Sequence, residues 1–196
     1  SDALFSATPE NLLSVVVRDW QPSTLTLSED ASQVFLVDNS SGVNVLTGSH
    51  EGGLNVVAND LPQTIVIEPL SATTGTVQID FQGGADVVEL NGDYFTRLDG
   101  GSGIDRLVVK TATTLELLGY INGRVFGFEE YVLESQGDSK IEVDLNSLGD
   151  FSGSDETGDL TVYVQSGDQF KVLGDANYAS PEMVGDQFAQ VITSNE

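Results

Sequence analysis

The chain has 196 residues, enough to bury a real core as one large domain or two small ones. Its 31 acidic residues against 7 basic ones give a formal net charge of −24, which argues against nucleic-acid and anionic-membrane partners, because both need basic patches. There is no cysteine, so disulfides, thiolate metal sites and cysteine nucleophiles are excluded, and no apolar run is long enough to span a bilayer as a helix.

The first residues, Ser-Asp-Ala-Leu-Phe, lack a basic n-region and read as a mature or excised segment, not a signal peptide. Leu12–Val17 and Leu25-Thr26-Leu27 are strand candidates separated by Trp20-Gln21-Pro22, and residues 1–30 as a whole read as an N-terminal cap or lead-in. From about residue 33 short apolar runs recur at Val34–Val37, Val43–Leu46, Leu54–Val57, Ile65–Glu68, Val77–Asp80, Val87–Leu90 and Leu107–Val109, with polar or glycine-containing turns between them. No helix of about ten residues fits in those gaps, which disfavours helical crossovers and leaves a stacked solenoid or an antiparallel sandwich.

A repeated frame favours the solenoid. Residues 100–108, Gly-Gly-Ser-Gly-Ile-Asp-Arg-Leu-Val, fit the nonapeptide G-G-x-G-x-D-x-U-x at every specified position. A worn copy, Gly84-Ala85-Asp86-Val87-Val88, puts Asp86 nineteen residues before Asp105. Two nonapeptides make a coil of about eighteen residues, so the two aspartates are expected to face each other on neighbouring coils. Gly42-Val43-Asn44-Val45-Leu46 and Gly53-Leu54-Asn55-Val56-Val57 share the looser frame G-x-[N/D]-x-U and read as further copies, or as ordinary turns with asparagine. Downstream, Thr114–Leu118, Arg124-Val125-Phe126, Glu130–Leu133, Ile141–Leu145, Leu160–Val164, Phe170–Leu173 and Val191-Ile192-Thr193 continue the strand texture. Only Asn146–Gly149 and Pro181–Val184 hint at helical turns.

The expected fold is therefore all-β: a parallel β-helix or β-roll-like solenoid over residues 31–135, with a C-terminal β continuation or cap over 136–196 and room for capping strands at both ends. Glycine-rich turns of this kind expose backbone carbonyls, and the aspartates add carboxylates, giving an oxygen-only donor set suited to calcium.

Gly83–Val109 resembles the RTX (repeats-in-toxin) family of secreted, calcium-binding bacterial proteins. A looser likeness to the segment that follows such repeats in long bacterial adhesins runs through Gly127–Leu133, Lys140–Leu145, and Leu160–Val164 with Gly167-Asp168-Gln169-Phe170. RTX proteins usually carry many tandem nonapeptides, whereas this chain has one intact copy and one worn one. The resemblance implies calcium held by Asp86 and Asp105 with carbonyls near Gly84, Gly101 and Gly103, and Asp99 as an outer ligand. It also implies an extracellular or cell-surface location and a structural or adhesion role. The alternative is a carbohydrate- or matrix-binding module, with glycan or extracellular matrix as partner and Tyr94-Phe95 as an aromatic platform. A remoter alternative is a calcium-dependent polysaccharide lyase using Arg106, Arg97 or Arg124.

Catalytic signatures are otherwise missing from the sequence. His50 is the single histidine, there is no nucleophile elbow, phosphate loop or H-E-x-x-H, and no catalytic residue is expected. Glu129 and Glu130 are adjacent on an expected strand and so point to opposite faces, which prevents them from flanking one glycosidic bond together.

Overall fold

The structure is a computed structural model that describes residues 3–7, 13–17, 24–30, 33–41, 43–49, 51–71, 74–92, 94–111, 114–117, 124–134, 140–144, 159–165, 168–173, 176–178, 182–184 and 187–194. The described elements are strands, with no helix among them. In chain order they are β1 (Ala3–Ala7), β2 (Leu13–Val17), β3 (Thr24–Glu29), β4 (Gln33–Asp38), β5 (Val43–Ser49), β6 (Gly53–Val57), β7 (Thr64–Ile67) and β8 (Thr76–Asp80). There follow β9 (Gly83–Gly84), β10 (Val87–Leu90), β11 (Arg97–Asp99), β12 (Ser102–Gly103), β13 (Arg106–Val109), β14 (Thr114–Leu117), β15 (Val125–Phe126) and β16 (Glu130–Leu133). The last six are β17 (Lys140–Asp144), β18 (Asp159–Val164), β19 (Gln169–Leu173), β20 (Ala176–Tyr178), β21 (Glu182–Val184) and β22 (Gln187–Ser194). Glu182–Val184 is thus a strand and not the helical turn its sequence suggested; it pairs antiparallel with β22, so sheet pairing overrides local propensity there. Asn146–Gly149, His50, Trp20 and Tyr120 lie outside the described residues.

Most of the pairing is parallel. One ladder runs β3-β7-β10-β13-β16-β18 and a second runs β2-β6-β8-β11-β15. The chain goes from a strand of the first ladder to one of the second, then returns to the first ladder beside its starting strand. Each such pass is one circuit. The short pair β9-β12 and the trio β14-β17-β19 are also parallel. Antiparallel strands flank the ladders: β1 on β2, β4 and β5 beyond β3, and β22 on β18.

The core lies between the two ladders, and alternation along each strand selects its residues. Register stacks Leu25, Ile65, Val88, Leu107, Tyr131 and Val162 in one inward row. Leu27, Ile67, Leu90, Val109 and Leu133 form the next. Opposite them stand Val56, Ile79, Leu98 and Val125. All of these are buried in one cluster, and each fully buried aliphatic side chain contributes about 1.5–3 kcal/mol relative to exposure. Phe81 and Phe128 meet edge to face with ring centroids 6.5 Å apart at 81°.

Register also corrects the repeat frame. Asn55 stands beside Gln78 in the second ladder, and Asn44 lies in the antiparallel strand β5 beside Val37. Neither occupies the position of Asp86 and Asp105. A period-2 alternation is common to every strand, so the frame G-x-[N/D]-x-U also matched strands outside the first ladder.

Candidate functional site

The site is the corner where the chain leaves the second ladder and re-enters the first. Its entry is fixed by equivalent backbone bonds: the N–H groups of Ala58, Phe81 and Gly100 donate to the carbonyls of Asp80, Asp99 and Phe126. Its exit is fixed likewise, because Val87, Arg106, Glu130 and Thr161 donate to the carbonyls of Gln63, Asp86, Asp105 and Glu129. Those four acceptors are therefore equivalent positions, with Gln63, Asp86, Asp105 and Glu129 one residue before β7, β10, β13 and β16.

The Glu129 N–H donates to the Asp105 carbonyl at 3.1 Å, but at Gln63, Asp86 and Asp105 the residue's own N–H falls outside the strand ladder, and unmatched it would be a buried orphan donor. The side chain of the next circuit answers it. Gln63 N donates to Asp86 Oδ1 at 2.7 Å, Asp86 N to Asp105 Oδ1 at 2.7 Å, and Asp105 N to Glu129 Oε2 at 2.8 Å. The sequence separations are 23, 19 and 24. Gln63, Asp86, Asp105 and Glu129 are thus successive rungs of one buried polar column. Asp86 and Asp105 are 0% exposed, Gln63 2% and Glu129 7%.

The expected pair, Asp86 and Asp105, is therefore brought together on neighbouring circuits. Gln63 and Glu129 were missed as members of the column. Only the circuit between Asp86 and Asp105 is close to two nonapeptides long; insertions in the circuits on either side hid the equivalence. Glu129 also lacks the preceding glycine-rich turn: its corner follows β15 directly through Gly127-Phe128. The remaining signal was an acid, or its amide, one residue before a strand.

The glycines named for the turns lie at positive φ. Gly84, Gly101 and Gly103 have φ of 124°, 87° and 134°. The two turns lie in register, with Ser102 beside Gly83 and Gly103 beside Gly84. At Gly103 the requirement is steric as well as conformational, since a Cβ there would overlap the Gly84 carbonyl oxygen. The corner's outer tip carries Leu61 and Ile104, the exposed large hydrophobics among the described residues.

Asp99 stands on the outer face of β11, 2.6 Å from Arg97 Nη2. It joins the column only electrostatically, as one of the negative charges around Asp105. Arg106 bonds Glu130 Oε2 through Nε at 2.6 Å. Glu130 faces outward while Glu129 is buried, so the two adjacent glutamates do point to opposite faces as expected. Phe95 lies in the core with the Arg124 guanidinium 4.2 Å from its ring centroid. Tyr94 donates its hydroxyl to the Thr74 carbonyl at 2.5 Å. Tyr94-Phe95 is consequently packed and does not form an open aromatic platform.

The electrostatics of the column are unusual. Burial pushes the Asp86 carboxyl up to about 7, against the opposing pull of the Gln63 N–H. Burial likewise raises Asp105 to about 7; the Asp86 N–H opposes the rise, and the charges of Asp86, Glu129 and Asp99 add to it. Burial, and secondarily Glu129, raises the Tyr131 phenol well above its ordinary value. Each aspartate uses one oxygen for a backbone N–H, and the other, Oδ2, is buried without a hydrogen-bond partner. Such an oxygen calls for a proton or a cation.

The donor chemistry fits calcium in kind. It consists only of oxygens, with two carboxylates on adjacent circuits and glycine turns in register beside them. Neighbouring strands are about 4.8 Å apart, close to twice the calcium–oxygen distance of roughly 2.4 Å and more than magnesium's tighter shell spans. Among the described residues no group of three or more histidine, aspartate or glutamate side chains is arranged to hold a metal, so the remaining ligands would be carbonyl or amide oxygens. No family model, curated protein or solved structure matches the chain. Among the described residues no helix is long and apolar enough to cross a membrane.

Proposed function

We propose that this chain is a β-solenoid module of a secreted or cell-surface protein, similar to RTX segments, with a structural or adhesive role and with calcium bound at its glycine-rich corner. The observation that carries the reading is the pair of buried carboxylates on adjacent circuits, each with an oxygen lacking a partner, beside glycine turns in register. The net charge of −24 supports it further, because self-repulsion of so acidic a chain is relieved by bound cations.

In this reading Asp86 and Asp105 supply charge, and the carbonyls near Gly84, Gly101 and Gly103 supply neutral oxygens. The bound ion supplies positive charge inside a column that is otherwise costly to ionise. The consequence is linkage: an ion that binds only the folded chain adds about 2.7 kcal/mol at a hundredfold excess over its dissociation constant. Where calcium is scarce the module is loose, and where it is plentiful the module stiffens into a spacer.

The test is a calorimetric calcium titration with thermal melts in calcium and in chelator, on the wild type and on Asp105→Ala. Saturable binding with a raised melting temperature, both weakened in the variant, is expected. Equal stability in chelator and in millimolar calcium, without binding heat, would refute the proposal.

A further inference from the structure

The buried column holds one more oxygen without a partner, and it is not acidic. Gln63 donates through Nε2 to Asn59 Oδ1 at 2.7 Å and to the Leu61 carbonyl at 2.6 Å. Both amide hydrogens are thereby used, which fixes the orientation of the amide. Its Oε1 is buried with no hydrogen-bond partner, in a residue only 2% exposed. A buried amide oxygen left unmatched costs about 1–3 kcal/mol, so this side chain is placed at a cost that its packing does not explain.

The position of Gln63 gives the cost a purpose. Its backbone N–H is the one that Asp86 Oδ1 accepts, so Gln63 is the rung directly before Asp86, as Asp86 is the rung directly before Asp105. Three successive rungs therefore each leave one side-chain oxygen free: Gln63 Oε1, Asp86 Oδ2 and Asp105 Oδ2. A neutral amide oxygen is an ordinary calcium ligand. It also completes a site without adding a third negative charge to a buried column.

We propose that Gln63 is a cation ligand and that the column binds two calcium ions, one between Gln63 and Asp86 and one between Asp86 and Asp105. The inference rests on the calcium reading above and extends it into a circuit with no glycine-rich nonapeptide. Asp86 is shared, so the two ions repel each other and bind with unequal affinity. The Gln63 position, with a single carboxylate, is the weaker.

The experiment is a calorimetric titration of the whole chain with calcium chloride at low salt. It compares wild type, Gln63→Met, Gln63→Glu and Asp105→Asn, with circular dichroism melts to confirm folding. Wild type is expected to bind two ions and Gln63→Met one, with the remaining affinity within about threefold of the stronger wild-type site. If the methionine variant fails to fold, Gln63→Glu decides: the added charge is expected to tighten the weaker site roughly tenfold. A single ion in the wild type, or an unchanged count in Gln63→Met with Asp105→Asn still weakened, overturns the role of Gln63 and leaves the calcium module standing. An unchanged weak site in Gln63→Glu does the same. No binding by the wild type overturns both.

Discussion

Replacing Asp105 by asparagine is expected to stabilise the calcium-free protein above neutral pH, against the usual effect of altering a buried hydrogen-bonded residue. The substituted amide keeps an Oδ1 acceptor for the Asp86 N–H, the bond of 2.7 Å that joins the two circuits. It cannot ionise. In the wild type the Asp105 carboxyl moves from 3.8 to about 7 on folding, chiefly through burial. A tenfold change in proton affinity is about 1.4 kcal/mol, so ionising this carboxyl within the fold costs on the order of 4 kcal/mol. Because the folded-state pKa lies above the unfolded one, the stability is fully present below about pH 3.8 and is lost as pH rises through about 7. Against this gain, the substitution buries two amide hydrogens, and leaving such a donor unmatched costs about 1–3 kcal/mol. The net expectation in chelator at pH 8 is a variant more stable by about 1–3 kcal/mol, with the difference vanishing or reversing at pH 4. Urea denaturation at both pH values, in chelator, measures it. The wild-type and variant chains share nearly the same overall charge, so general self-repulsion cancels in the comparison. A difference independent of pH, or a wild type that gains stability between pH 5 and 8 in chelator, would refute the argument. With calcium present the order should reverse, since the ion then neutralises a carboxylate that the variant lacks.

The remaining expectations concern the corner and its surroundings. Gly103→Ala combines a φ of 134° with overlap on the Gly84 carbonyl and should cost on the order of 2–4 kcal/mol; urea titration against Ser102→Ala, expected to be near neutral, checks it. Tyr131→Phe removes a buried hydroxyl that has no partner and should be neutral or stabilising by up to about 1 kcal/mol; a clear loss of melting temperature would mean that the hydroxyl is satisfied in solution. Arg106 and Glu130 form an ion pair with side chains 45% and 22% exposed, so a double-mutant cycle with Arg106→Met and Glu130→Gln should give a coupling below about 1 kcal/mol.

The sequence by itself determined the strand character, the alternation that sets the inner face of each strand, and the meeting of Asp86 with Asp105. Each of these depends on short-range periodicity. Apolar alternation picks the inner face of a strand, glycine marks the positive-φ turn, and a spacing of nineteen residues is close to one circuit when both corners have the same form. Tertiary structure alone decided which strands are neighbours, and with them the other members of the column. Asn55 matches the local frame as well as Asp86 does, yet register sets it in the other ladder beside Gln78. Gln63 matches no motif, yet it precedes Asp86 in the column because Val87 bonds its carbonyl and Asp86 Oδ1 accepts its N–H. Circuit length varies with the turns outside the core, so equal spacing in sequence is not equal position in space. The backbone hydrogen bonds between circuits are what hold that position. Gln63, Asp86 and Asp105 become linked rungs because the next circuit carries a side chain long enough to reach the N–H of each.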